Sequence, residues 1–202
     1  MNNFEVKYMY INHFKDNILP HLPKSSIDII QWLSERWFFD TPASTKHHGN
    51  ERGGLFRHSA LVMDILVKLT EDNHLQWSRP ESPYIVGFFH DLCKIDQYRS
   101  ITIDGRECIS YIDETLFKGH GEKSVMLLST LFQLTEEEVA CICYHMGAFC
   151  DKDLWNDYTR AIYSYPNVLW THHADMIAAH VMHDNREYAI DRLEENKHAK
   201  NK

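Results

Sequence analysis

At 202 residues, with 44% hydrophobic and 25% charged side chains, the chain has the size and composition of a single soluble domain with a sizeable core. Its formal net charge of -8 excludes a large sequence-blind nucleic-acid surface, which needs clustered Lys and Arg, but leaves room for a small anion held by bound cations and a few local basic residues. Five cysteines without framework spacing point to free thiols in a reducing compartment. Met1-Asn2-Asn3-Phe4-Glu5 lacks the parts of a signal peptide and no apolar run matches a bilayer, so the expected location is cytoplasmic.

Residues 4–22 read as a short helix ending at Leu19-Pro20, and Ser25 or Ser26 can cap a second one carrying Ile29, Ile30, Leu33 and Trp37. The stretch from Asp40 to Gly54 is rich in Pro, Gly and small polar residues and reads as a loop, a favoured place for a site. Taken alone, His47 and His48 in it read as solvated side chains. A helix is expected over about 55–70, because His58, Leu61, Val62, Ile65, Leu66 and Leu69 form one stripe. His58 therefore faces inward near the start of that helix. A further helix, about 83–93, follows the turn at Ser82-Pro83 and carries the apolar run Val86-Gly87-Phe88-Phe89 into His90-Asp91. An imidazole and a carboxylate at the end of a buried run need a partner, either each other or a divalent cation.

Tyr98, Ile101, Ile103, Asp104-Gly105, Cys108, Ile109 and Tyr111 predict a small β-hairpin within 97–112, set on a helical body. Gly119 and Gly121 flank His120 just before an apolar helix running from Val125 to Phe132. Thr135 and Glu138 make a capping box for a helix over about 136–147, with Val139, Ile142, Cys143 and Met146 as its buried stripe and His145 at the edge. Cys141, Cys143 and His145 alternate and so do not share a helix face, which argues against a zinc site. After Pro166 a helix is expected over about 167–190, with His172, Asp175 and His183 on its inward stripe. Residues 1–190 read as one domain and 191–202 as a charged, disordered tail.

Five segments thus offer ligand-type side chains: His58, His90-Asp91, His120, His145 and Asp175. Four imidazoles and two carboxylates can hold two divalent cations if Asp91 bridges them, with His58, His90 and Asp175 on one ion and His120 and His145 on the other. His172 and His183 are open alternatives as ligands or as supports for ligands.

The order His…His-Asp…His…His…Asp resembles the HD-domain metal-dependent phosphohydrolases in their five-segment, two-metal form. Pro42-Ala43-Ser44-Thr45-Lys46-His47-His48 with Gly53-Gly54-Leu55 before His58-Ser59 is similar to the lead-in of HD proteins related to 3′–5′ exoribonucleases and conjugative relaxases. His90-Asp91-Leu92-Cys93-Lys94 resembles the family's His-Asp-x-x-Lys, and Ala174-Asp175 its final Ala-Asp, so the likeness covers roughly 40–185. The resemblance implies an all-α helical bundle, here with the hairpin as an insertion, and hydrolysis of a phosphate ester. It implies two divalent ions (Mn2+, Fe2+ or Mg2+) and a small phosphorylated substrate such as a nucleotide or short oligonucleotide. It makes Asp91 the bridge, Lys94 the residue that orients the phosphate or Asp91, and Lys46, Arg57 and Lys123 candidate phosphate contacts. Cys93 departs from the pattern, which usually has Gly there.

Two other readings compete. Some HD-fold enzymes use the same ligands with two irons as oxygenases, placing a Tyr and a Glu upstream of the first His; here Glu51 is present and no Tyr accompanies it. A catalytically idle binding domain would have no need of a complete ligand set.

Overall fold

The computed structural model describes residues 3–45, 49–112, 115, 117 and 119–182. Lys46, His47, His48, His183 and the tail expected from 191 lie outside the described residues. The fold is mainly α-helical with one two-stranded hairpin, as expected. In chain order the helices are α1 (Asn3–His13), α2 (Ile29–Glu35), α3 (Gly54–Asn73), α4 (Ser82–Phe89), α5 (Gly121–Leu128), α6 (Glu136–Cys143), α7 (Trp155–Ser164) and α8 (Asn167–Met176). Strands β1 (Tyr98–Ile103) and β2 (Arg106–Tyr111) pair antiparallel around Asp104-Gly105, Tyr98 opposite Tyr111. No helix among the described residues is long and apolar enough to cross a membrane, and none of the five cysteines is in a disulfide.

Helix α3 is the central strut and packs chiefly on α4, then on α8; α6 packs on both α5 and α8. The α3–α4 contact is close because position 87 is glycine: a Cβ there would meet Met63 Cα at 2.6 Å. Beneath it lies an aromatic core in which Phe88 meets Phe14, Phe38 and Phe56 at ring separations of 5.3, 5.4 and 5.8 Å. The loop before α3 is held by main-chain bonds, Leu55 N–H to Thr41 O (2.9 Å) and Ala43 N–H to Gly49 O (2.8 Å). Lys7 and Arg52 both pair with Asp40 in the same loop.

Several boundaries differ from expectation, each for a local reason. The first helix widens into a π turn over Phe14–Ile18 and then tightens into a 3-10 turn over Leu19–His21. The α2 cap is Asp28, whose side chain accepts from Gln31 N–H at 3.0 Å, while Ser25 instead donates to Leu131 O at 2.6 Å. Helix α4 stops at Phe89 because Asp91 leaves helical geometry (φ -102, ψ 19) before a 3-10 turn over Leu92–Asp96. Helix α5 begins four residues before Val125, at Gly121. Helix α6 has the predicted capping box but ends at Cys143, and α8 continues as a π turn over Ile177–Val181.

The buried face of α6 is the largest correction. Glu137, Glu138, Cys141, Ile142 and His145 point inward, and Val139, Cys143 and Met146 are only partly buried. The two acids are inside because they have partners there. Glu138 receives Arg79 through two bonds of 2.7 Å and Ser82 at 2.8 Å, and Glu137 receives Ser78 N–H at 2.6 Å and Asn167 at 2.8 Å.

Candidate metal centre

All six ligand-type residues converge. His58 comes from the first turn of α3, His90 and Asp91 from the end of α4, His120 from the cap of α5, His145 from just beyond α6, and Asp175 from the last turn of α8. Glycine is what lets α5 approach: a Cβ on Gly121 would lie 2.5 Å from Cys143 Cα and from Ile142 O, so any larger residue would push His120 away from His145.

Asp91 is the hub, and its two oxygens face different histidines. Oδ1 lies 2.7 Å from His120 Nε2 and 3.5 Å from His145 Nε2, whereas Oδ2 lies 3.4 Å from His90 Nε2 and 3.6 Å from His58 Nε2. Asp175 Oδ1 sits 3.1 Å from His58 Nε2 and 3.9 Å from His90 Nε2, on the second side. Lys94 Nζ pairs with Asp91 Oδ2 at 2.5 Å. Ligand atoms cluster within 4.8 Å of one another in three overlapping groups: His58, His90 and Asp175; His90, Asp91 and His145; Asp91, Cys93 and His120.

These nitrogens and oxygens are placed so that they could hold a cation. His90 Nδ1 donates to Gly87 O (2.9 Å) and His145 Nδ1 to Ile142 O (2.7 Å), which fixes the tautomer and leaves each Nε2 with its lone pair turned to the centre. His172, one of the open alternatives, contacts the backbone of a candidate ligand: its Nδ1 donates to His145 O at 2.8 Å. Asp91 Oδ1 and His145 Nε2 are buried yet make no hydrogen bond of acceptable geometry. Buried polar atoms of this kind are costly unless something satisfies them, and an N/O donor set of this composition suits a divalent metal ion.

The charges follow from the packing. Burial opposes ionisation of Asp91, but Lys94, His90 and His120 outweigh it and hold its carboxyl well below the usual range. Asp175 is likewise held low against burial, chiefly by the hydrogen bond and charge of His58. Burial favours the neutral form of His145. His120 is the opposite case: burial opposes its charge, yet Cys93 and Asp91 raise its pKa to about 10.

His58, His90, Asp91 and His145 are closed off from solvent, while the side chain of His120 is 33% exposed and that of Asp175 15%. The open side leads into a cavity of about 710 Å³. Its walls include Ala43 and Ser44 of the predicted loop, Lys94, Tyr98 at the base of the hairpin, and the apolar Met146, Phe149, Met176 and Ala179.

The proposed phosphate contacts do not gather here. Arg57 is buried and paired with Glu51, and Lys123 is fully buried and paired with Asp96; neither lines the cavity. Lys46 lies outside the described residues. The sequence marks Tyr98 only as a hairpin residue and Cys93 only as a departure from a pattern, and Phe149 and Ser124 carry no spacing signal.

Compared with protein-family models, with curated proteins and with solved structures, the chain gives no match.

Proposed function

We propose that the chain is an HD-type metal-dependent phosphohydrolase that holds two divalent cations and cleaves a phosphoester bond of a nucleotide or short oligonucleotide. The observation that carries this reading is the division of labour at Asp91, whose Oδ1 faces His120 and His145 and whose Oδ2 faces His58 and His90, with Asp175 beside the latter pair. A carboxylate so placed can bridge two ions, and it supports the ligand assignment made from the sequence. When bound, such ions supply an activated water and stabilise charge on the attacking and leaving oxygens of a displacement at phosphorus.

The chain's own residues do the rest. His90 and His145 present Nε2 to the centre because Gly87 O and Ile142 O hold their Nδ1 protons. Lys94 orients Asp91 through Oδ2 and places a cation on the cavity wall, where a phosphate oxygen approaches the centre. The apolar side of the cavity, with Met146, Phe149 and Met176, takes the organic part of the substrate and keeps bulk water from it. The oxygenase reading ranks second, because of the upstream Tyr and Glu it calls on only Glu51 is present, and Glu51 is engaged by Arg57 and does not line the cavity.

The test is hydrolysis of bis(p-nitrophenyl) phosphate and a nucleotide panel with added Mn2+, for the wild-type chain and for Asp91→Ala. Turnover by the former, and none by a folded helical Asp91→Ala protein, is the expected result. Undiminished turnover by the variant overturns the assignment, and O2 uptake without phosphate release moves it to the oxygenase.

A further inference from the structure

We infer that Cys93 is a positioning residue for His120, doing for that imidazole what main-chain carbonyls do for His90 and His145. The inference rests on the metal-centre reading above. His90 and His145 each follow a helix, so a carbonyl three residues back, Gly87 O or Ile142 O, lies within 2.9 and 2.7 Å of their Nδ1. His120 precedes its helix and has no such carbonyl behind it. Its Nδ1 instead meets Cys93 Sγ at 3.3 Å, while its Nε2 lies 2.7 Å from Asp91 Oδ1. The ring therefore stands as the other two do, Nδ1 to an anchor and Nε2 to the centre.

The anchor is itself built in. Cys93 N–H donates to Ser124 Oγ (3.0 Å), and Ser124 Oγ–H donates to His120 O (3.2 Å). Both Cys93 and Ser124 are fully buried, so one hydroxyl ties the backbone of the anchor to the backbone of the ligand. The clamp faces a real need, because Asp91 Oδ1, 2.7 Å from His120 Nε2, is buried and makes no hydrogen bond of acceptable geometry, so the ring must be held from its other side. The thiol orients His120 and does not coordinate the ion.

The experiment is titration of the metal-free full chain with Co2+, followed by calorimetry and by near-ultraviolet and visible absorption, for wild type, Cys93→Ala, Cys93→Ser and Ser124→Ala. Wild type binds Co2+ at two sites without a thiolate-to-cobalt charge-transfer band. Cys93→Ala weakens one site by about 10–100-fold and leaves the other unchanged, as loss of a ligand's hydrogen-bond partner does. Cys93→Ser restores most of the loss, since a hydroxyl also accepts from Nδ1–H, and Ser124→Ala weakens the same site as Cys93→Ala. Equal affinities in wild type and Cys93→Ala overturn the inference and leave the metal centre standing. A charge-transfer band that Cys93→Ala abolishes overturns it in favour of direct ligation. Wild-type protein that takes up no Co2+ overturns the metal centre and the inference together.

Discussion

At the scale of single residues, the centre is defined by which proton each group gives up. His120 needs a lone pair on Nε2 to bind an ion, yet in the metal-free protein Asp91 and Cys93 raise its pKa to about 10, against about 6.5 in an unfolded chain. The raised value means that His120 stabilises the metal-free fold fully below about pH 6.5, and that this contribution is lost as pH rises through about 10. Metal binding runs the other way, because it displaces the proton. Apparent Mn2+ affinity should therefore rise steadily with pH from about 6.5 toward 10, with a proton released per ion bound at that site. Calorimetry in buffers of different ionisation enthalpy measures both, and a pH-independent affinity without proton release would contradict the assignment of His120. Asp91 and Lys94 form a charge pair 2.5 Å apart, the carboxylate buried and the ammonium at the cavity wall. Asp91→Asn leaves the ammonium without its counter-charge and should destabilise the metal-free protein by about 3–5 kcal/mol. Adding Lys94→Met should recover much of that loss without restoring metal binding, a result that denaturant melts can check.

At the scale of elements, glycine sets the distance between helices. A Cβ at position 121 would lie 2.5 Å from Cys143 Cα, a backbone atom that cannot step aside. Gly121→Ala should move the start of α5 off the end of α6 and cost about 1–3 kcal/mol, with loss of metal at the His120 side before the fold is lost. Binding isotherms and thermal melts of the same variant separate those two effects. Where an element's inward face is apolar, its place was legible: His58 shares the α3 stripe with Leu61, Val62 and Leu66, and the structure buries it there. The phase of α6 was misread because hydrophobicity alone makes Glu137 and Glu138 outward residues. Their burial depends on Arg79, Ser82, Ser78 and Asn167, which come from distant parts of the chain. Helix α7 was not anticipated at all; among its residues only Ala161 is buried, so it leaves little pattern to find. The cluster of ligand-type residues could be read from one-dimensional order, whereas the contacts that hold them could not. Cys93, Ser124 and His172 act through contacts 27 or more positions away, and no local periodicity encodes them.

At the scale of the molecule, three helix ends and two helix starts meet at the floor of a cavity whose closed side is core and whose open side carries His120, Asp175 and Lys94. The segments hold one another through atoms that remain unsatisfied without a cation, Asp91 Oδ1 and His145 Nε2 among them. A ligand that binds only the folded state stabilises it, by about 2.7 kcal/mol at a hundredfold excess over Kd. Removing metal with a chelator should accordingly lower Tm by roughly 5–10 °C for a domain of this size, and restoring Mn2+ should return it. An unchanged Tm would mean that these six residues form a purely protein-satisfied cluster. The most direct test of the whole account is the metal content of freshly purified protein, measured by elemental analysis on wild type and Asp91→Ala. The account predicts two divalent transition-metal ions per chain in the wild type and none at the bridged centre in the variant. Wild-type protein that carries no metal, and takes up none on addition of Mn2+ or Fe2+, would contradict it.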